Sequence, residues 1–270
     1  MILHSFGPDK GNVLLDLKRD PEDRRLAYSE VFRCSVAFDS GATWGIMPGG
    51  LLPRLEALGC YFEKLEETEE CRRKFNPYHE ALSATLMLNP GLLAQQIMFR
   101  VYEKVPDEAM IFGRDMFSGL VIEYTRDRIR LLKKKPDDYD VSIPIIQKGS
   151  SFYVELSVNG QNNTYYLDTG FCDLLALPVR DMEYAKSCPM KMQTEYADVE
   201  TSKTVTEYIE RKAEMTMGPL DKKVTVVYHS HLYRDYWFNP VCLPYDFAMD
   251  IKKGYLSFKS SEIGSSPLPV

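Results

Sequence analysis

Two short stretches of the chain end in the same way. Residues 165–170 read YYLDTG and residues 34–41 read CSVAFDSG, so in each an apolar run ends at an aspartate, a hydroxyl residue and a glycine. Short apolar runs of this kind are typical of buried strands, and each therefore predicts a strand that ends at Asp168 or Asp39. A carboxylate at the edge of a core is costly unless something pairs with it. The repeated pattern marks both aspartates as candidate functional residues.

Further landmarks follow each aspartate in the same order. Residues 109–132 contain an apolar run, Gly113 and a hairpin pattern, and residues 235–258 contain an apolar run, Asn239 and a similar hairpin pattern. The aspartates are 129 residues apart, and Gly113 and Asn239 are 126 apart. We interpret this as a diverged tandem duplication. Asn239 is expected to replace Gly113 by adopting a left-handed backbone conformation, which asparagine tolerates.

Both halves read mainly as β-structure. Residues 152–158 alternate between apolar and polar, and Asn159-Gly160 then leads to residues 164–167, which predicts a β-hairpin. One helix is predicted at 51–58, where leucines recur at helical spacing and Gly59 supplies the stop. The sequence therefore predicts an all-β chain, mainly β with short helices.

Composition excludes several classes of protein. The chain has 270 residues, 44% hydrophobic and 27% charged, with a formal net charge of −6, which argues against a nucleic-acid binder. No apolar segment is long enough to predict a membrane span. The first ten residues show no secretory signal and the six cysteines form no close pairs, so we expect a cytoplasmic protein. A signal peptide already removed is the alternative. The polar run KKKPDDYD at 133–140 predicts a linker.

Taken together, these motifs resemble the aspartic peptidase superfamily. The stretch IFGRD at 111–115 is similar to that of retroviral-type proteases, and the duplication is similar to the bilobal, pepsin-like arrangement. The resemblance implies two similar retropepsin-like barrel lobes with the active site between them. It predicts an N-terminal lobe at 1–135, a C-terminal lobe at 136–260 and a flexible tail at 261–270.

The resemblance implies an aspartic-type endopeptidase in which Asp39 and Asp168 are the catalytic pair. Two carboxylates that meet share one proton, so one can act as base on a water while the other donates to the scissile carbonyl. The expected partner is a peptide or protein substrate, bound by a monomer without metal, cofactor, nucleic acid or membrane.

The resemblance also implies supporting residues in the loops around the pair. The hydroxyl residues are expected to brace the loops across the interface, and the glycines to allow sharp turns: Ser40, Gly41, Thr169 and Gly170. Tyr78 lies 39 residues after Asp39, at the distance expected of a flap tyrosine, and a surface tyrosine in a loop is the alternative. Phe171, directly after the second triplet, is expected to crowd its loop.

Other functions fit the same sequence. The chain could be a catalytically inactive pseudo-protease that acts as a peptide-binding or scaffold protein. In a third interpretation the two lobes separate, and each pairs with a lobe of another chain. Taken singly, Asp39 and Asp168 also fit ordinary turn aspartates at strand ends.

Overall fold

The structure is a computed structural model, and it describes most of the chain. The described residues are 2–3, 12–30, 32–57, 59–66, 80–88, 93–102, 109–117, 119–177, 187–188, 190–197, 202–229 and 236–263. They form two compact units, Met1–Pro136 with Ala248–Lys253, and Asp137–Phe247 with Gly254–Val270. The segment Ala248–Lys253 thus belongs to the first unit, although the sequence places it in the C-terminal half.

The first unit is built from strands. Its described strands are β1 Ile2–Leu3, β2 Val13–Arg19, β3 Leu26–Ser29, β4 Cys34–Phe38, β5 Gly45–Pro48, β6 Glu63–Lys64, β7 Glu80–Leu88, β8 Leu93–Tyr102, β9 Ala109–Phe112, β10 Val121–Tyr124 and β11 Arg128–Leu132. They follow the order β1-β7-β8-β5-β9-β4-β3-β2-β11-β10, with β6 paired to β7.

The second unit is also mostly β. Its described strands are β12 Val141–Pro144, β13 Ile146–Lys148, β14 Ser151–Val158, β15 Gln161–Leu167, β16 Leu175–Leu177, β17 Met190–Ala197, β18 Ser202–Met217, β19 Leu220–His229, β20 Tyr236–Phe238 and β22 Tyr255–Phe258. Strand β21, Phe247–Asp250, belongs to the first unit except for Phe247 and lies next to β10. One sheet has the order β13-β14-β15-β20-β16-β19-β18-β17, and β12 pairs with β22. The mainly-β class expected from the sequence is therefore observed, whereas two barrel-shaped lobes stay a prediction.

The helices in the described ranges are short. They are the α-helices α1 Leu52–Ala57 and α2 Ser260–Ile263 and the 3-10 helices Gly49–Leu51, Arg114–Phe117 and Pro240–Cys242. The predicted helix is observed as α1 with the 3-10 turn before it, and Leu51 and Leu55 are buried as expected. Gly59 ends it at φ +82°, a conformation that favours glycine, and Leu58 lies outside the described residues. No described helix is long and apolar enough to cross a membrane.

Local sequence signals predict the second unit's first hairpin. Strands β14 and β15 pair antiparallel from Tyr153–Tyr166 to Val158–Gln161. Asn159 and Gly160 have φ of +50° and +77°, the two positive values that a type I′ turn requires. The predicted Asn-Gly hairpin is confirmed.

The polar run at 133–140 is not simply a solvated linker. Tyr139 is fully buried, and the ammonium of Lys259 lies 4.9 Å from the centre of its ring. The same ammonium is 3.1 Å from the carboxylate of Asp138. The division between the two units falls after Pro136, within this run, and a single buried aromatic side chain anchors the C-terminal part of the run in the second unit.

Candidate active site

Strand pairing in the first unit fixes the position of Asp39. Strand β4 runs parallel to β9 with Phe38 opposite Phe112, and the N–H of Asp39 donates to the carbonyl of Phe112 at 2.8 Å. The rings of Phe38 and Phe112 stack with centroids 5.4 Å apart, and both residues are buried. The hydroxyl of Tyr124 donates to the carbonyl of Phe38 at 3.1 Å. Asp39 therefore follows directly from a packed core, as the apolar run predicts.

The loop after Asp39 holds one carboxylate oxygen by backbone hydrogen bonds. The N–H groups of Gly41 and Ala42 donate to Asp39 Oδ1 at 2.7 and 3.1 Å. Ser40, between Asp39 and Gly41, is fully buried, whereas Asp39 is half-buried. Two donors on one oxygen fix the orientation of the side chain.

The loop around Asp168 repeats this geometry in the second unit. Strand β15 runs parallel to β20 with Leu167 opposite Phe238, and Asp168 N–H donates to the carbonyl of Phe238 at 3.0 Å. The N–H groups of Gly170 and Phe171 donate to Asp168 Oδ1 at 2.9 and 3.1 Å. Asp168 is buried, with 6% of its surface exposed, and Thr169 is buried as well. Both aspartates thus receive the same three-part backbone arrangement.

The sheets that carry the two loops share their local topology. Around Asp39 the order is β3-β4-β9-β5-β8-β7, and around Asp168 it is β14-β15-β20-β16-β19-β18. The parallel and antiparallel pairings also match. Strand β5 pairs parallel with β8 and antiparallel with β9, with Ile46 in both pairings. Strand β16 pairs parallel with β19 and antiparallel with β20, with Ala176 in both pairings. This internal match agrees with the duplication inferred from sequence spacing.

Gly113 is required by close packing. A Cβ atom at this position would lie 2.4 Å from the carbonyl carbon of Trp44 and 2.6 Å from its oxygen, both backbone atoms that cannot move aside cheaply. Next to it, Arg114 anchors the Asp39 loop: its N–H donates to Ala42 O at 2.9 Å and its guanidinium to Thr43 Oγ1 at 2.5 Å.

Asn239 works differently from what the sequence predicts. Its φ is −115°, so its backbone is extended. The prediction that Asn239 replaces a glycine by adopting a left-handed backbone was therefore wrong. Its side-chain amide instead donates to the carbonyl of Phe171, and its Oδ1 accepts from Val241 N–H at 2.9 Å. Asn239 is fully buried. A signal for this role was available, since Asn-Pro at the start of a short helix is typical of a capping residue.

Phe171 does not distort its loop. Its N–H reaches Asp168 Oδ1 at nearly the distance found for Ala42 in the first unit. The ring packs instead against Trp237, with centroids 5.3 Å apart, and is 7% exposed. The crowding expected from its size is therefore relieved by burial on the neighbouring strand.

Asp115 is a structural carboxylate that the sequence did not single out. Its Oδ2 accepts from Met98 N–H at 2.6 Å and its Oδ1 from Met116 N–H at 3.0 Å, which ties β8 to the 3-10 helix after Gly113. Burial raises the pKa of Asp115 from 3.8 to about 6, and the backbone donors oppose that rise. Asp115 therefore supports the second landmark of the first unit.

Several predicted features of the site stay predictions or lie outside the described residues. Asp39 and Asp168 lie in different units, and their meeting in one site stays a prediction, as does the bracing role of Ser40 and Thr169. Tyr78, the expected flap residue, lies outside the described residues. Within the described ranges no three His, Cys, Asp or Glu side chains cluster so that they could hold a metal ion.

The sequence matches no family model and no curated protein. Among solved structures the chain is similar to a retropepsin-like aspartic protease from Rickettsia conorii, at 17% identity. That similarity covers 43% of this chain and 96% of the other, with a TM-score of 0.33. The function proposed below therefore depends on the geometry of the two aspartate loops.

Proposed function

We propose that the chain is an aspartic endopeptidase in which Asp39 and Asp168 act as a pair. The observation that carries this proposal is the repeated hydrogen-bond set: in each loop the aspartate Oδ1 accepts two consecutive backbone N–H groups. An isolated turn aspartate explains either loop alone, but it does not explain why two loops on sheets of the same order match in detail.

In the proposed reaction the pair carries one proton. The ionised aspartate takes a proton from a water molecule, whose oxygen bonds to the scissile carbonyl carbon while the protonated aspartate donates to the carbonyl oxygen. The C–N bond then breaks as the nitrogen takes the proton that the first aspartate received from water, while a hydroxyl of the tetrahedral intermediate returns a proton to the second aspartate, which restores the starting pair. The backbone donors of Gly41, Ala42, Gly170 and Phe171 hold the carboxylates in place, so little reorganisation is needed.

The proposed substrate is an extended peptide. It would be bound by strand-type main-chain hydrogen bonds, with apolar pockets for alternate side chains. No metal or cofactor takes part in this scheme.

The test is cleavage of a mixed peptide library by the wild type, Asp39→Asn and Asp168→Asn. Asparagine keeps the shape of aspartate but cannot act as the base, so each variant should lose at least about a hundred-fold in rate. Asp173→Asn is the matched control, because Asp173 is a half-buried carboxylate five residues from Asp168 and should leave the rate unchanged. Near wild-type cleavage by either catalytic variant would refute the pair.

Peptide binding without hydrolysis is the second candidate function. The observation in its favour is that different residues support the two loops. The amide of Asn239 and the packing of Phe171 on Trp237 support the Asp168 loop. Gly113 and Arg114 support the Asp39 loop. Peptides that bind the wild type and are recovered intact after prolonged incubation from pH 3 to 7 would favour this function over the endopeptidase.

A further inference from the structure

Two cysteines that are distant in sequence lie next to each other beside the Asp168 loop. Cys242 Sγ lies 3.7 Å from the carbonyl oxygen of Cys172, to which it donates a weak hydrogen bond. Both side chains are thiols in this structure, Cys172 exposed and Cys242 half-buried. Both residues belong to the second unit. This contact was not predictable from sequence spacing, since the two cysteines are 70 residues apart.

The backbone around the two cysteines is already held in place. The amide of Asn239 donates to the carbonyl of Phe171, and Asn239 N–H donates to the carbonyl of Leu174 at 2.9 Å. Cys242 N–H donates to Asn239 O at 3.3 Å. Hydrogen bonds on both sides of Cys172 thus fix its backbone against the turn that carries Cys242.

The thiol of Cys172 is only weakly held. The Cys172 thiol donates to Asp173 Oδ2 at 3.5 Å, a weak bond for a sulfur donor, and its side chain is exposed. A disulfide needs Cβ atoms about 3.5–4.5 Å apart and sulfurs about 2 Å apart. Cys242 Sγ already lies 3.7 Å from the carbonyl oxygen of Cys172, so formation of the bond requires the Cys172 side chain to turn from Asp173 toward Cys242.

We propose that Cys172 and Cys242 are a disulfide-forming pair that clamps the Asp168 loop to the turn at 239–242. With a small-molecule disulfide such as glutathione disulfide as oxidant, the Cys172 thiolate attacks one glutathione sulfur and releases one glutathione thiol. The Cys242 thiolate then attacks the Cys172 sulfur and releases the second. Two protein thiols and one glutathione disulfide thus give one protein disulfide and two glutathione thiols.

Mass spectrometry of the wild-type chain tests the bond directly. After treatment with excess glutathione disulfide and alkylation of the remaining thiols, trypsin should release peptides 149–180 and 235–252 as one linked species that dithiothreitol separates. Cys172→Ser and Cys242→Ser should each abolish that species, and Cys188→Ser, the matched control, should retain it. Recovery of both cysteines alkylated, a link to another cysteine, or a lasting glutathione adduct on Cys172 would overturn the proposal.

Thermal unfolding of the second unit tests the clamp. The chain has two tryptophans, so Trp44→Phe leaves Trp237 as the reporter of this unit. Because the bond closes a loop of about 70 residues in the unfolded chain, oxidation should raise the unfolding midpoint by about 5–10 °C, reversibly with dithiothreitol. A linked peptide with an unchanged midpoint would overturn the clamping effect. Neither readout uses peptide cleavage, so the outcome does not depend on the proposed function.

Discussion

Replacing Asn239 by alanine should destabilise the second unit. The substitution removes the donor to the carbonyl of Phe171 and the acceptor of Val241 N–H, both inside the protein. Asn239 and Val241 are fully buried, so water does not replace the lost partners without further opening of the structure. The two orphaned backbone groups are what make this change costly.

The magnitude follows from these two groups. Leaving one buried donor or acceptor unsatisfied costs about 1–3 kcal/mol, so the loss of both partners in Asn239→Ala should lower the free energy of unfolding of the second unit by about 2–6 kcal/mol. Asn239→Asp is the informative partner variant, because a carboxylate keeps the acceptor for Val241 N–H but loses the donor to Phe171 O. It also places a negative charge against that carbonyl oxygen, so Asp should not restore stability.

The assay is urea unfolding followed by Trp237 fluorescence in a Trp44→Phe background. Asn162→Ala, on the exposed surface of β15, is the control and should stay within about 0.5 kcal/mol of its parent. A loss below 1 kcal/mol for Asn239→Ala, or full stability for Asn239→Asp, would refute the role assigned to the two hydrogen bonds.

Three further predictions concern the first unit. Gly113→Ala places a Cβ 2.4 Å from the Trp44 carbonyl carbon, so it should cost about 3 kcal/mol in thermal unfolding followed by circular dichroism, and an unchanged midpoint would contradict the contact. Because burial raises the pKa of Asp115 to about 6, its contribution to stability is full below about pH 4 and is lost as the pH rises through 6. The loss is at most about 3 kcal/mol. The free energy of unfolding, measured by urea unfolding at a series of pH values, should fall more steeply with rising pH in the wild type than in Asp115→Asn. The same pH dependence in both proteins would exclude this contribution. Tyr124→Phe removes the hydroxyl that donates to the carbonyl of Phe38 and should cost about 1 kcal/mol in urea unfolding followed by Trp44 fluorescence in a Trp237→Phe background, whereas a stabilised variant would contradict that bond.

Local sequence patterns predicted the parts of the fold that depend on neighbouring residues. A few neighbouring residues encode each of these parts: the Asn-Gly hairpin, the glycine stop of α1 and the strands that end at Asp39 and Asp168. Apolar alternation and turn preferences depend on a few consecutive residues, so they are visible in the sequence itself.

Features that depend on distant residues were not predictable in this way. Tyr139 is buried within a run that is otherwise polar, and its ring contacts Lys259, 120 residues later. The contact between Cys172 and Cys242 arises because Asn239 holds two remote segments together. Composition and periodicity carry no information on such pairs, since tertiary packing alone brings them together.

The two aspartate loops reach the same geometry by different physical means. In the first unit the backbone at Gly113 packs directly on Trp44, and Arg114 donates to Ala42 and Thr43. In the second unit the side chain of Asn239 takes over the support of the loop. The two loops therefore share the hydrogen bonds to the carboxylate oxygen, although the residues that support each loop differ. This shared carboxylate geometry is the basis of the proposal that Asp39 and Asp168 act as a pair.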